Sequence, residues 1–124
     1  MLGRVIHHVS FEVSSLETGG RFYDALLGPL GWRRLAERER SIGYGLVRPI
    51  FWISDRLDPA PGGSQVCFRA NSIPAVRAAH ESGLEDGGTD DGAPSQRPEY
   101  GQTYFSAYLL DPDGNRVEVA VGSG

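Results

Sequence analysis

The stretch from Tyr108 to Ala120, YLLDPDGNRVEVA, constrains the chain most, because its pattern admits few conformations. Asp111, Pro112, Asp113 and Gly114 are turn residues for separate reasons: the Asp111 carboxylate can accept the Asp113 N–H, Pro112 presets φ, and Gly114 tolerates positive φ. The flanking apolar runs therefore form a hairpin. In its returning strand Val117, Val119 and Val121 point one way, and Arg116, Glu118 and Ala120 the other. The valines define a core face. The opposite face carries a carboxylate at its middle, which is costly there unless it meets a cation, a metal or water. Glu118 is the first residue that needs a functional explanation.

Upstream, RVIHHVSFEV (residues 4–13) reads as a strand with Val5, His7, Val9, Phe11 and Val13 on a core-like face and Ile6, His8, Ser10 and Glu12 on the other. Ser14 with Glu17 forms a capping box for a helix that stops at Gly28, its apolar face built from Leu16, Phe22, Tyr23, Leu26 and Leu27. Three strands follow, WRRLAER, SIGYGLV and IFWIS, with Pro49 at a strand start or kink. DRLDPAPGG, residues 55–63, is a linker, and then the pattern restarts. SQVCFRA forms a strand with Gln65, Cys67 and Arg69 on one face. Asn71 or Ser72 caps a helix that stops at Gly83. The polar segment LEDGGTDDGAPSQRPEYGQ holds at most one weak strand and a mobile loop, residues 87–102, before the closing hairpin. Strand, helix and several strands thus occur twice.

At 124 residues the chain is one domain, module one spanning about 1–57 and module two about 64–124. Its longest apolar runs are far too short to span a bilayer, and the start reads straight into a strand, so a cytoplasmic protein without a targeting segment is expected. The single cysteine, Cys67, reads as a buried packing thiol. A formal charge of −4 with dispersed arginines argues against nucleic acid. All 12 basic residues are arginine, which removes Schiff-base chemistry and a Walker-type phosphate lysine, and no GxGxxG follows a strand.

HHVSFEVSSLETGGRFYDALLGPLGW, PIFWI and YLLDPDGNRVEVA together resemble the vicinal oxygen chelate superfamily, which includes glyoxalase I, bleomycin resistance proteins and extradiol dioxygenases. The resemblance covers nearly the whole chain. It implies an α+β fold of two βαβββ modules forming a curved mixed sheet around a cleft, and a homodimer. By position it implies that His8 and Glu118 match metal ligands, that Gln65 stands where many members have histidine, and that Trp52 stands at the module-one glutamate of glyoxalase I. Tyr108 matches a tyrosine that extradiol dioxygenases place beside substrate.

Two functions follow as expectations. In the first, His8, Gln65 and Glu118 hold a divalent Zn, Ni, Mn or Fe ion for a lyase or isomerase acting on a small aromatic or carbonyl compound, with Glu118 or Tyr108 moving the proton. The amide of Gln65 in place of an imidazole makes ring-cleaving dioxygenase chemistry less plausible. In the second there is no metal, His8 and Glu118 hydrogen-bond to each other, and the cleft binds an antibiotic or cationic drug, with Glu12, Glu99 and Glu118 supplying the charge. Glu12 and Arg69 either touch ligand or pair with each other. Trp52, Tyr44, Tyr100, Tyr104 and Tyr108 offer aromatic surface for a planar ligand, and Arg97 and Tyr100 are candidate lid contacts.

Overall fold

The computed structural model describes residues 5–122, so Arg4, where the first strand was expected to begin, lies outside the described residues. The order is β1 (Val9–Glu12), α1 (Leu16–Leu27), a short 3-10 turn, β2 (Arg33–Arg38), β3 (Ser41–Gly45), β4 (Phe51–Ser54), β5 (Gln65–Arg69), α2 (Ile73–Glu85), β6 (Thr89–Gln96), β7 (Phe105–Leu110) and β8 (Arg116–Val121). The expected α+β fold is present, with its strands divided over two four-stranded mixed sheets, β1-β4-β3-β2 and β5-β8-β7-β6. In each, the first strand runs parallel to the last, and the remaining pairs are antiparallel.

Period-two alternation gives each sheet one apolar face. Phe11, Tyr44, Phe51 and Ile53 of the first sheet and Phe68, Ala107, Leu109, Val117 and Val119 of the second join Phe22, Tyr23 and Leu26 of α1 and Val76 and Ala79 of α2 in one buried cluster. Phe51 meets Phe68 edge-on at 5.1 Å between ring centroids, so the inner faces of the two halves share a core. Each fully buried Phe or Leu contributes about 1.5–3 kcal/mol. The outer faces consequently look away from that core, and the polar side chains of interest lie on them.

Several boundaries differ from expectation for identifiable reasons. β1 begins at Val9 because its partner strand is preceded by Pro49: the Val9 N–H reaches the Ile50 carbonyl at 2.8 Å, and Pro49 has no N–H to extend the ladder. The cap of α1 is Ser15, whose hydroxyl accepts the Thr18 N–H at 3.2 Å. Ser14 instead takes Asp113 as partner through both its N–H and its hydroxyl, while its oxygen accepts the Ala60 N–H at 2.8 Å. The helix runs on into the 3-10 turn at Gly28–Leu30 and stops at Gly31, which has φ +89. In α2, Gly83 lies inside the helix, where an added Cβ would come within 2.9 Å of Leu109 and 3.2 Å of Leu26. The one weak strand allowed in the polar segment is β6, which takes half of residues 87–102 as an edge strand with register shifts at Gly92 and again before Ser95.

The hairpin turn forms as its residues dictate. Asp111 Oδ1 accepts the N–H groups of Asp113 and Asn115, each at 2.9 Å, while Oδ2 accepts the Tyr23 hydroxyl at 2.7 Å. The linker is pinned to the same turn: the Ser64 N–H donates to Asn115 Oδ1 at 3.0 Å, and the Gly63 N–H to the Gly114 carbonyl at 3.3 Å.

Candidate functional site

A hollow of about 520 Å³ covers the outer face of the first sheet. Trp52 forms part of its floor because its cross-strand partner on β3 is Gly43, where an added Cβ would lie 2.8 Å from Pro49 and 3.0 Å from the indole. Ser10, Ser41 and Ser54 add hydroxyls, and Arg38, Arg40, Arg48 and Arg56 stand around them with His7 and His8. The two imidazoles approach each other at 3.0 Å between Nδ1 atoms. Glu12, beside Ser54 in register, accepts the Ser54 hydroxyl and the Arg56 guanidinium at 3.1 Å, and the serine first, then the arginine, hold its carboxyl below the usual range.

The outer face of the second sheet carries a hollow of about 430 Å³ lined by Gln65, Tyr100, Tyr104, Tyr108, Arg116 and Glu118. Glu118 is centred there by register, with Cys67 beside it on β5 and Tyr108 beside it on β7. The Tyr104 hydroxyl donates to Glu118 Oε2 at 2.7 Å. Burial, then that hydrogen bond, pushes the Tyr104 phenol up. Burial and the Glu118 charge push Tyr108 up to about 12, so at neutral pH it can donate a hydrogen bond but is a poor base. Arg116 lies 3.9 Å over the Tyr108 ring while its Nε holds Asp91 at 2.7 Å.

The expected site residues therefore divide. His8 and Trp52 belong to the first hollow, whereas Gln65, Tyr100, Tyr104, Tyr108 and Glu118 belong to the second. Within one chain His8 and Glu118 do not pair: the imidazole meets His7 and the carboxylate meets Tyr104. Arg69 lines a third groove with Leu27, Leu30, Trp32, Leu46 and Phe68. The suggested Glu12–Arg69 pair is replaced by Glu12–Arg56, because the first two residues stand on different sheets. Arg97 folds back onto its own hairpin, donating to Ser106 Oγ at 3.1 Å and to the Ala93 carbonyl at 3.0 Å.

Two expectations are corrected outright. Tyr44 is core rather than ligand surface, fully buried with its hydroxyl on Asp24 at 3.0 Å. Cys67 is exposed on the outer face of β5, not buried in packing. The group that sequence reasoning missed is the ring of arginines around the first hollow. Their positions at 38, 40, 48 and 56, at the end of β2 and in the connections after β2, β3 and β4, look dispersed until the fold gathers them.

A divalent ion does not fit the donors of one chain. Gln65 and Glu118 share a hollow, but the imidazole that would complete the set lies in the other, and Glu118 Oε2 is engaged by Tyr104. Among the described residues no three His, Cys, Asp or Glu side chains cluster as metal ligands.

Two mixed sheets with parallel first and last strands, packed core to core with polar hollows outside, define the glyoxalase type of fold. A glyoxalase/bleomycin resistance protein from Albidiferax ferrireducens T118 is 34% identical, with 93% of this chain and 96% of that chain covered at a TM-score of 0.80. The chain belongs to the glyoxalase/bleomycin resistance protein family, within the vicinal oxygen chelate superfamily. A glyoxalase/bleomycin resistance protein/dioxygenase family enzyme from Burkholderia phytofirmans PsJN (14% identity, 95% and 98% covered, TM-score 0.73) shares the fold. So does a lactoylglutathione lyase from Agrobacterium tumefaciens (19% identity, 98% and 96% covered, TM-score 0.70). No protein-family model matches the chain, and no curated protein matches it in sequence. Among the described residues no helix is long and apolar enough to cross a membrane.

Proposed function

We propose that the protein binds a small planar molecule without a metal, in composite sites formed where two copies of the chain meet. The observation that carries this reading is the division of the site: one aromatic floor, Trp52, lies on the outer face of the first sheet, and the other, Tyr104 and Tyr108 with Glu118, on that of the second. In a two-fold dimer a contact from patch i to patch j is repeated from j to i. Laying the first hollow of one protomer on the second hollow of its partner therefore builds two equivalent closed sites. The exposed apolar side chains of Val5, Ile6, Leu46 and Val47 lie close in sequence to the rim residues His7, His8, Arg48 and Pro49 and suit such a contact. β1 and β5, which carry parts of the two hollows, are both edge strands of their sheets, the positions that association protects.

A metal-dependent lyase or isomerase is the second reading. It is favoured by the common location of Gln65 and Glu118, and it requires the same pairing to bring His8 against Gln65 and Glu118 of the partner subunit. Native purification followed by metal analysis separates the two. Binding without metal predicts substoichiometric Zn, Ni, Mn and Fe together with thermal stabilisation by planar aromatic compounds. A ligand at a hundred times its Kd should add about 2.7 kcal/mol. One metal per chain, or no compound that stabilises the protein, would reject the first reading.

A further inference from the structure

We propose that the first hollow is an anion site that takes a planar aromatic carboxylate. This rests on the small-molecule reading above and adds the charge and shape of the ligand. Although the chain carries a net charge of −4, no carboxylate lines this hollow, while four guanidinium groups and two imidazoles do. Two of the arginines are already matched: Arg40 holds Asp55 at 3.0 Å, and Arg56 holds Glu12 at 3.1 Å. The other two are not. Among the described residues Arg38 has no carboxylate within salt-bridge distance, and Arg48 has only the His7 carbonyl at 3.4 Å.

Arg38 is also oriented for the task. Its guanidinium carbon lies 4.7 Å from the Trp52 ring centroid, within cation–π distance of the indole. A guanidinium presents a fork of N–H donors that matches a carboxylate bidentately, and no carboxylate among the described residues occupies that of Arg38. Trp52, half-buried and backed by Gly43, and Pro49 give flat apolar surface to the rest of the ligand, and Ser10 and Ser41 can donate further hydrogen bonds. A cationic ligand would instead meet two unneutralised guanidinium groups, which reverses the charge expected from Glu12, Glu99 and Glu118. Glu12 stands beside Ser54 on the same face and is engaged by Ser54 and Arg56, Glu99 does not line this hollow, and Glu118 of the second hollow is engaged by Tyr104.

Calorimetric titration of the full chain with three probes of one shape, 1-naphthoate, 1-naphthamide and 1-naphthylmethylammonium, tests the inference, with inorganic phosphate as a fourth. Naphthoate should bind at least about tenfold tighter than the other three, the discrimination that charge-assisted hydrogen bonds provide. Arg38→Gln and Arg48→Gln should each weaken naphthoate about tenfold and the amide by less, and Arg38→Lys should retain part of the affinity. Equal binding of the ammonium or the amide, equal binding of phosphate, or unchanged naphthoate affinity in the Arg38→Gln/Arg48→Gln variant would overturn it. If the amide binds and Trp52→Ala abolishes that binding without any preference for the anion, the small-molecule reading stands and the anion site falls. If no naphthalene probe binds, both fall.

Discussion

Cys67 faces Glu118 across the parallel β5–β8 pair, and the position decides what the thiol can do. The residue keeps solvent contact, yet partial burial first and the Glu118 charge second push its thiol from an ordinary 9.0 up to about 11. The thiolate is the reactive form, and this rise cuts its share near pH 8 by about 100-fold. An exposed sulfur beside a candidate site is thereby kept from acting as a nucleophile. Replacing Glu118 by Gln removes the second cause and leaves the first. The Glu118→Gln chain should therefore label with a disulfide reagent several-fold faster at pH 8, and the midpoint of its pH–rate profile should move down without reaching the ordinary thiol value. As the chain's one cysteine, Cys67 gives an unmixed signal. Identical profiles for the two proteins would mean that Glu118 does not set the charge of this face.

At the scale of elements, the closing hairpin does more than join β7 to β8, because the linker and the start of α1 are fastened to its turn. Gly62 has φ +69, and an added Cβ would lie 2.3 Å from the Asp113 carbonyl oxygen, whereas Gly114 has φ +85 with open space where its Cβ would go. Gly114→Ala should cost about 1–2 kcal/mol for the left-handed backbone alone. Gly62→Ala adds a backbone collision and should cost more, with the difference read from urea unfolding of the two variants. Equal losses would mean that the linker does not need its seat on the turn. This hairpin was legible in the sequence because Asp111 and Gly114 act through local hydrogen bonds and local dihedrals. β6 was legible only as one weak strand: Gly92 and Pro94 read as loop residues, and an edge strand can skip them through register shifts. Ser14 was misread for a different reason. Its hydroxyl is a sound cap candidate until a residue 99 positions away claims it. The faces of His8, Gln65 and Glu118 followed from alternation, whereas His7, assigned to the core face, lines the first hollow; which sheet met which did not follow, since period two carries no information about tertiary pairing.

For the whole molecule, one core with two outward hollows makes a single chain look like two halves of different sites. Under the two-fold arrangement proposed above, each site takes its arginines and Trp52 from one protomer and its Tyr104 and Glu118 from the partner subunit. The consequence can be tested without knowing the natural ligand. Trp52→Ala damages the first hollow, and Tyr104→Ala removes aromatic surface from the second. Either variant alone carries a lesion in both sites of its homodimer and should bind 1-naphthoate poorly. In a mixed dimer of the two, both lesions fall in one site and the other site is intact. Unfolding and refolding the variants together should then restore binding that neither has alone, with about half of the dimers mixed if pairing is random and one intact site in each. The species that binds should have twice the 13.4 kDa mass of one chain. Restoration requires ligand contacts from both sheets and a shared site. A mixture that binds no better than its components, or a binding species of single-chain mass, would place the whole site within one protomer.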